Sequence, residues 1–259
     1  MFYSDGVKLM DPRIIAAALF LPLFPFSILF NCLFEVLRNS LLRGLILLIW
    51  PQLGVLLLQE VDSTIPSWLV SLGLATSLLY GFRALVLREL THWISFLAVS
   101  TWSLLWLVGG FVEGVELHLL ALGISIPLGV LTLLGSCLEK RFGASYAGLY
   151  NGLGYTMPRF SGVFVFTVLA VIATPTFPGF TAVAVCFIEI TKSSLLGSIT
   201  LCLIWLTWCW SGARLIQGFV IGREGQKGIE DISSGLTWAY VVVLVSLVAF
   251  GIYTLGILS

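Results

Sequence analysis

Eight stretches of almost unbroken apolar residues follow one another along the chain, near 14–34, 41–58, 67–87, 92–110, 116–138, 160–191, 195–215 and 236–258, with only short polar joints between them. Runs of this length clear the roughly 20 residues a helix needs to cross a hydrocarbon core of about 30 Å. A helix can satisfy its own backbone in lipid, so the pattern predicts an all-α, polytopic transmembrane helix bundle of about eight crossings. No stretch reads as a soluble domain or a long linker, so residues 1–259 are expected to form a single transmembrane domain.

Proline interrupts the pattern. Pro25 sits in Leu23-Phe24-Pro25-Phe26, Pro51 inside the second run, and Pro175, Pro178 and Gly179 in Thr174-Pro175-Thr176-Phe177-Pro178-Gly179-Phe180. These five are the predicted helix breaks. A spanning helix gives up backbone hydrogen bonds only where other protein or a water-filled cavity satisfies the freed groups, and such places commonly border an ion path. The 160–191 run would extend roughly 48 Å as one helix, too long for a single straight crossing. Charge decides how it is used. If it crosses once, as two half-helices, Arg38, Arg43, Arg83, Arg88, Lys140, Arg141, Arg159, Arg214, Arg223 and Lys227 fall on one side, and Lys8, Arg13 and Lys192 on the other together with Glu60, Asp62, Glu113, Glu116 and Glu189. Two crossings would scatter the basic set. The sixth crossing is therefore expected to be discontinuous, with the basic side facing the cytoplasm or its organellar equivalent.

Composition agrees: 59% of residues are hydrophobic, 10% are charged, and the mean hydropathy is +1.06. An integral membrane protein is expected, and a net charge of zero leaves no basic field for nucleic acid. Lys8, Asp11 and Arg13 precede a long, proline-interrupted first run without a small-residue cleavage site, which predicts a structural helix rather than a cleaved signal. The cysteines Cys32, Cys137, Cys186, Cys202 and Cys209 form no C-x-x-C pair and read as small buried hydrophobes. The tryptophans lie mostly toward run ends, where interfacial anchors sit, and could equally face a partner or a pigment.

Seven short segments, in order, resemble the antiporter-like membrane subunits shared by respiratory complex I (NADH:quinone oxidoreductase), its photosynthetic and hydrogenase relatives, and Mrp-type sodium/proton antiporters. Pro22-Leu23-Phe24-Pro25-Phe26 resembles that family's P-L-F-P-F-H, and Val86-Leu87-Arg88-Glu89-Leu90-Thr91-His92-Trp93-Ile94 its Q-K-D-L-K-K-L-I run. Ala98-Val99-Ser100-Thr101 is similar to S-V-S-H, Leu138-Glu139-Lys140-Arg141 to the Y-E-R turn, and Gly152-Leu153-Gly154-Tyr155-Thr156-Met157-Pro158 to the G-G-L-x-x-x-M-P connector. The segment from Pro175 to Phe180 resembles P-G-T-S-G-F, and Phe250-Gly251-Ile252-Tyr253 the closing L-G-x-Y-P. The resemblance covers nearly the whole chain but only the later half of the family; its opening helices and first proton half-channel have no counterpart here. It implies a subunit of a complex I-like or related ion-translocating assembly, with other membrane subunits and lipid as partners, in a bacterial inner, thylakoid or mitochondrial inner membrane.

The resemblance also shows what is missing. Where the family places titratable groups, this chain has Phe20, Ser27, Pro51, Thr101, Leu122 or Gly123, and Val183. A proton relay needs groups that bind and release a proton within reach of one another or of water. The expected role is therefore a structural or accessory antiporter-like module that has lost its own channel. The alternative is an active part of a proton, sodium or inorganic-carbon transport system whose path another subunit completes. The remaining relay candidates are Glu35, three residues before Arg38; Glu116 and His118, beside Glu113; and the pair Glu189 and Lys192. For each, a solvated helix end or an end-of-helix ion pair is the competing reading. His92 and His118 are the only histidines, and both read as interfacial, which argues against a haem held between them. No catalytic, cofactor or metal site is expected.

Overall fold

The computed structural model describes residues 12–60, 65–110, 115–149, 152–222 and 230–258. Within them the chain is helical throughout, the one pairing of extended backbone being an isolated bridge between Glu89 and Tyr146. In order the helices are α1 (Pro12–Phe20), α2 (Ser27–Val36), α3 (Ser40–Gln59), α4 (Ser67–Ala84), α5 (Leu90–Ser103), α6 (Leu105–Val108), α7 (Val115–Phe142), α8 (Leu153–Thr156), α9 (Pro158–Val171), α10 (Pro178–Ser193), α11 (Leu195–Phe219) and α12 (Ser234–Leu258). Five segments are long and apolar enough to cross a membrane: α3, the continuous stretch of α5 and α6, α7, α11 and α12. Large apolar side chains lie exposed along the outside of the bundle, among them Leu45, Ile49 and Leu56 on α3 and Val242, Val245 and Ile252 on α12. Such a surface suits hydrocarbon rather than water. The protein is an integral membrane protein.

Local sequence explains where helices start. Asn39 accepts the Leu41 N–H at 2.9 Å ahead of α3, and Ser194 accepts the Gly197 N–H at 3.1 Å ahead of α11, each side chain satisfying one of the donors a helix start leaves open. Proline opens α9 and α10, where a missing N–H costs nothing. The start of α9 is capped from a distance: Asp231, ahead of α12, accepts the Arg159 and Phe160 N–H groups at 2.8 and 3.1 Å. Pro51 does not break α3, contrary to the expectation from sequence. The helix runs through it with the ring buried, and Pro127 is accommodated in the same way inside α7. A proline inside a packed membrane helix removes one hydrogen bond, and the neighbouring helices hold the remaining turns in place.

The α5–α6 stretch is the axis of the bundle and is almost wholly buried. It packs against α2, α4 and α7, while α3 lies along α7, α4 along α11, and α10 between α11 and α12. Thr101 donates to the Leu97 and Ala98 carbonyls at 2.8 and 3.1 Å, and Ser103 to Ser100 at 3.0 Å. Back-bonding of this kind bends helices, and the backbone tightens at Leu104 between α5 and α6. Aromatic rings fill the crossings: Phe30 meets Trp102 edge-on at 5.0 Å and Trp50 at 5.7 Å, and Phe164 meets Phe219 at 5.3 Å.

One end of the bundle can be traced through its contacts. The Gly148 N–H reaches the Gly218 carbonyl, the Leu90 N–H reaches Ser145, Asp231 caps α9, and Arg43 reaches Thr91. The C-terminal ends of α2, α7 and α11 and the N-terminal ends of α3, α5, α9 and α12 thus share this end. At the other end, Arg13 at the start of α1 donates to the carbonyl of Glu60 beyond α3 at 2.7 Å. Arg43, Arg88, Arg141 and Arg159 make contacts at this first end, the basic end. Lys8, Asp11, Asp62, Glu113, Arg223 and Lys227 lie outside the described residues.

Candidate functional site at the helix interruptions

Helical structure stops twice in the middle of an apolar run. Residues 21–26 separate α1 from α2 and contain Pro25; residues 172–177 separate α9 from α10 and contain Pro175. Pro178 and Gly179 lie in the first turn of α10 rather than in the gap itself. Ala173 and Thr176 have positive φ, 55° and 86°, a conformation that L-residues adopt only when the surroundings hold them there.

Indole groups satisfy the carbonyls these gaps set free. Trp50 donates to Leu19 at 3.2 Å and Trp106 to Leu21 at 2.9 Å around the first gap, and Trp205 donates to Ala173 at 3.1 Å in the second. Helix α4 meets further groups at the first gap: Thr76 accepts the Phe24 N–H at 3.1 Å and Tyr80 pairs with Ser27 at 2.9 Å. Within the second gap the N–H and hydroxyl of Thr174 both donate to Leu169, at 3.2 and 3.0 Å. A helix with glycine at the contact lies against each gap. A Cβ on Gly54 of α3 would lie 2.9 Å from the Leu21 nitrogen, and one on Gly251 of α12 would collide with the Thr176 carbonyl.

Several tryptophans expected as interfacial anchors are enclosed instead, while Trp68, Trp210 and Trp238 are exposed. Trp93, Trp102, Trp106 and Trp208 are buried, and sequence gave no sign that three indoles would serve the gaps. An indole N–H only donates and its rings are apolar, which suits a freed carbonyl in a dry interior. Replacing Trp106 with phenylalanine should leave the Leu21 carbonyl buried without a partner and cost about 1–3 kcal/mol. Thermal unfolding of the purified protein in detergent measures this, and an unchanged midpoint would show that the bond carries no weight.

Between the gaps, Trp208 donates to Ser100 at 2.7 Å, and Ser100 donates to the Ser77 carbonyl at 2.7 Å. Beside them a cavity of about 10 Å³ is lined by Thr101, Leu104, Ile124, Ala173, Val183 and Trp208, among others. That is room for about one water, and the walls offer it few polar partners. Thr101 and Val183, two positions where the resemblance leads one to expect ionisable groups, face this same space, and the Thr101 hydroxyl is turned onto its own helix.

The sequence-level relay candidates lie elsewhere. Glu35 is exposed at the end of α2 and meets His92 at 3.6 Å rather than Arg38, while the other ring nitrogen of His92 is 2.8 Å from Glu89. Arg43, which donates to the Phe34 carbonyl at 3.1 Å, also donates to Thr91 at 3.3 Å, and Glu139 accepts from Thr91 and Ser145 at 3.4 and 3.1 Å. All of these sit at the basic end. His118, on α7 near the opposite end, pairs with Gln52, its Nδ1 2.7 Å from Oε1, while the Gln52 amide donates to the His118 carbonyl at 3.3 Å. Glu116 is exposed in the first turn of α7. Glu189 and Lys192 form a 2.8 Å ion pair in the last turns of α10. The structure therefore does not gather Glu35, Glu116, His118, Glu189 and Lys192 into one site, nor bring the two histidines together. Among the described residues no cluster of three or more His, Cys, Asp or Glu side chains could hold a metal. Cys32 and Cys202 are exposed on the outside of the bundle, not buried as expected; only Cys186 is fully enclosed.

Solved structures share this fold. A chain of respiratory complex I from Thermus thermophilus with bound NADH superposes with a TM-score of 0.80 at 19% identity, over 93% of this chain and 54% of that one. A chain of the Mrp complex from Dietzia sp. DQ12-45-1b gives 0.79 at 15% identity, over 95% and 56%. A chain of the membrane-bound sulfane sulfur reductase, an archaeal respiratory membrane complex, gives 0.81 at 15% identity, over 94% and 52%. The chain shares the fold of these membrane-complex chains. It spans about half the length of the chains it matches. No protein-family profile matches the sequence, and no curated protein does. At these identities the likeness is one of fold.

Proposed function

We propose that this chain is a membrane subunit of an ion-translocating assembly of the kind its structural neighbours come from, and that it serves there as a packing module without a proton path of its own. It forms one membrane unit of eight crossings, two of them discontinuous: α1 with α2, and α9 with α10. This reading is supported by the shared ends. α9 begins at the basic end and α11 finishes there, so α9 and α10 together carry the chain from one end to the other.

The observation that carries the functional reading is the cavity at the second gap. Its walls hold Thr101 and Val183 and no ionisable side chain, and the Ala173 carbonyl in that gap accepts from the Trp205 indole N–H. A relay interrupted by an apolar stretch does not pass protons unless water fills it. Purified protein reconstituted into liposomes with an internal pH dye should leak protons no faster than protein-free vesicles. A fast leak abolished by Glu35→Gln or Glu189→Gln would overturn the reading, because it would place the relay at the helix ends. The second reading, a path completed by a partner subunit, draws on the retention of both interruptions. It predicts a leak only when the partner is co-reconstituted.

A further inference from the structure

We infer that the rim of the basic end binds the headgroups of anionic phospholipids, with Arg83 and Arg38 as the principal contacts. The charge at this end is unevenly used. Glu35 and Glu89 face His92, Glu139 is held by the Thr91 and Ser145 hydroxyls, and Asp231 caps α9. Glu230, exposed ahead of α12, is the remaining carboxylate there among the described residues. Arg38 and Arg83, like Arg88, Lys140, Arg159 and Arg214, make no ion pair among the described residues, so charge at this end is left for something outside the protein. Arg83 is held in place without being neutralised: its guanidinium lies 5.1 Å from the Phe96 ring centre and 5.9 Å from that of Tyr80. A guanidinium held against aromatic rings keeps N–H groups for a bidentate oxyanion such as a phosphodiester.

The surroundings select a lipid over a soluble acidic protein. Phe82 and Val86, on either side of Arg83, are 51% and 77% exposed, and Val36 beside Arg38 is 78% exposed. A cation next to bare apolar side chains, at the end of a bundle that spans hydrocarbon, is arranged for a phosphate with acyl chains below it. A soluble acidic partner would leave those apolar side chains against water.

Native mass spectrometry of the protein, released from detergent after incubation with phosphatidylglycerol, tests this. Retained phosphatidylglycerol should exceed retained phosphatidylcholine, and should fall roughly fivefold in Arg83→Gln and further when Arg38→Gln is added. Arg83→Lys should recover part of the loss, and Lys192→Gln, at the opposite end and already paired with Glu189, should change nothing. A thermal unfolding scan without lipid confirms that each variant is folded. Equal retention of the two lipids, or full retention by the double variant, would overturn the inference. Displacement of the lipid by inorganic phosphate alone would also overturn it in favour of a simple anion site, and displacement by polyglutamate in favour of an acidic protein.

Discussion

Substituting valine for Gly251 is expected to unseat α12 from the second gap and to cause a large loss of stability. A Cβ there meets backbone, not the yielding end of a side chain: it collides with the Thr176 carbonyl and lies 2.8 Å from the Thr176 carbonyl carbon and 2.9 Å from that of Phe177. Backbone already held at positive φ at Thr176 has little freedom to retreat. Overpacking commonly costs about 1–3 kcal/mol, and contact with fixed backbone puts this site at the upper end or beyond. The loss also reaches the Thr181–Thr254 hydrogen bond, 3.0 Å long, one helical turn further on. Thermal unfolding in detergent should show a clear drop for Gly251→Val and almost none for Gly235→Ala, where an added Cβ meets nothing within 4 Å. Equal midpoints for the two variants would mean that α12 does not rest on the gap.

The difference between these two glycines is not written in the sequence, and that marks how far a one-dimensional reading reaches. Apolar run length made the helices legible, because lipid forces backbone satisfaction segment by segment, and Pro25 and Pro175 lie in stretches between the described helices. The basic end was legible for a similar reason, since arginines gather at helix ends on one face. Pro51 misled because a proline's effect depends on what packs beside it, and α3 lies flush along α7 with the ring buried. The Trp106 bond to Leu21 joins residues 85 positions apart, the Gln52 bond to His118 joins residues 66 apart, and the Asp231 cap on Phe160 joins residues 71 apart. No local pattern announces such pairs. Of the relay candidates, sequence could identify ionisable residues near run ends, but Glu35 found its partner across a helix crossing, in His92, rather than three residues away at Arg38.

Placing a lysine at Val183 separates a closed path from one that merely lacks its carrier. Val183 is buried, and the cavity it lines holds about 10 Å³ between Leu104, Ile124, Ala173 and Trp208, with no carboxylate in its walls. An ammonium group there would lose its water without gaining a counter-charge, an effective penalty of several kcal/mol. Val183→Lys should therefore unfold at a markedly lower temperature than the parent protein, and liposomes containing whatever folded variant can be recovered should remain proton-tight. Val183→Met, of similar length and uncharged, gives the steric part of the loss, so the excess in the lysine variant reports the charge. The opposite outcome is equally definite. If the lysine variant matches Val183→Met in stability and its vesicles leak protons, water already reaches the gap from one end, and the fold has kept a path that needs only one titratable group. The indole donors at Leu19, Leu21 and Ala173 argue for the first outcome, because carbonyls lining a hydrated path would be met by water and would not need a tryptophan each.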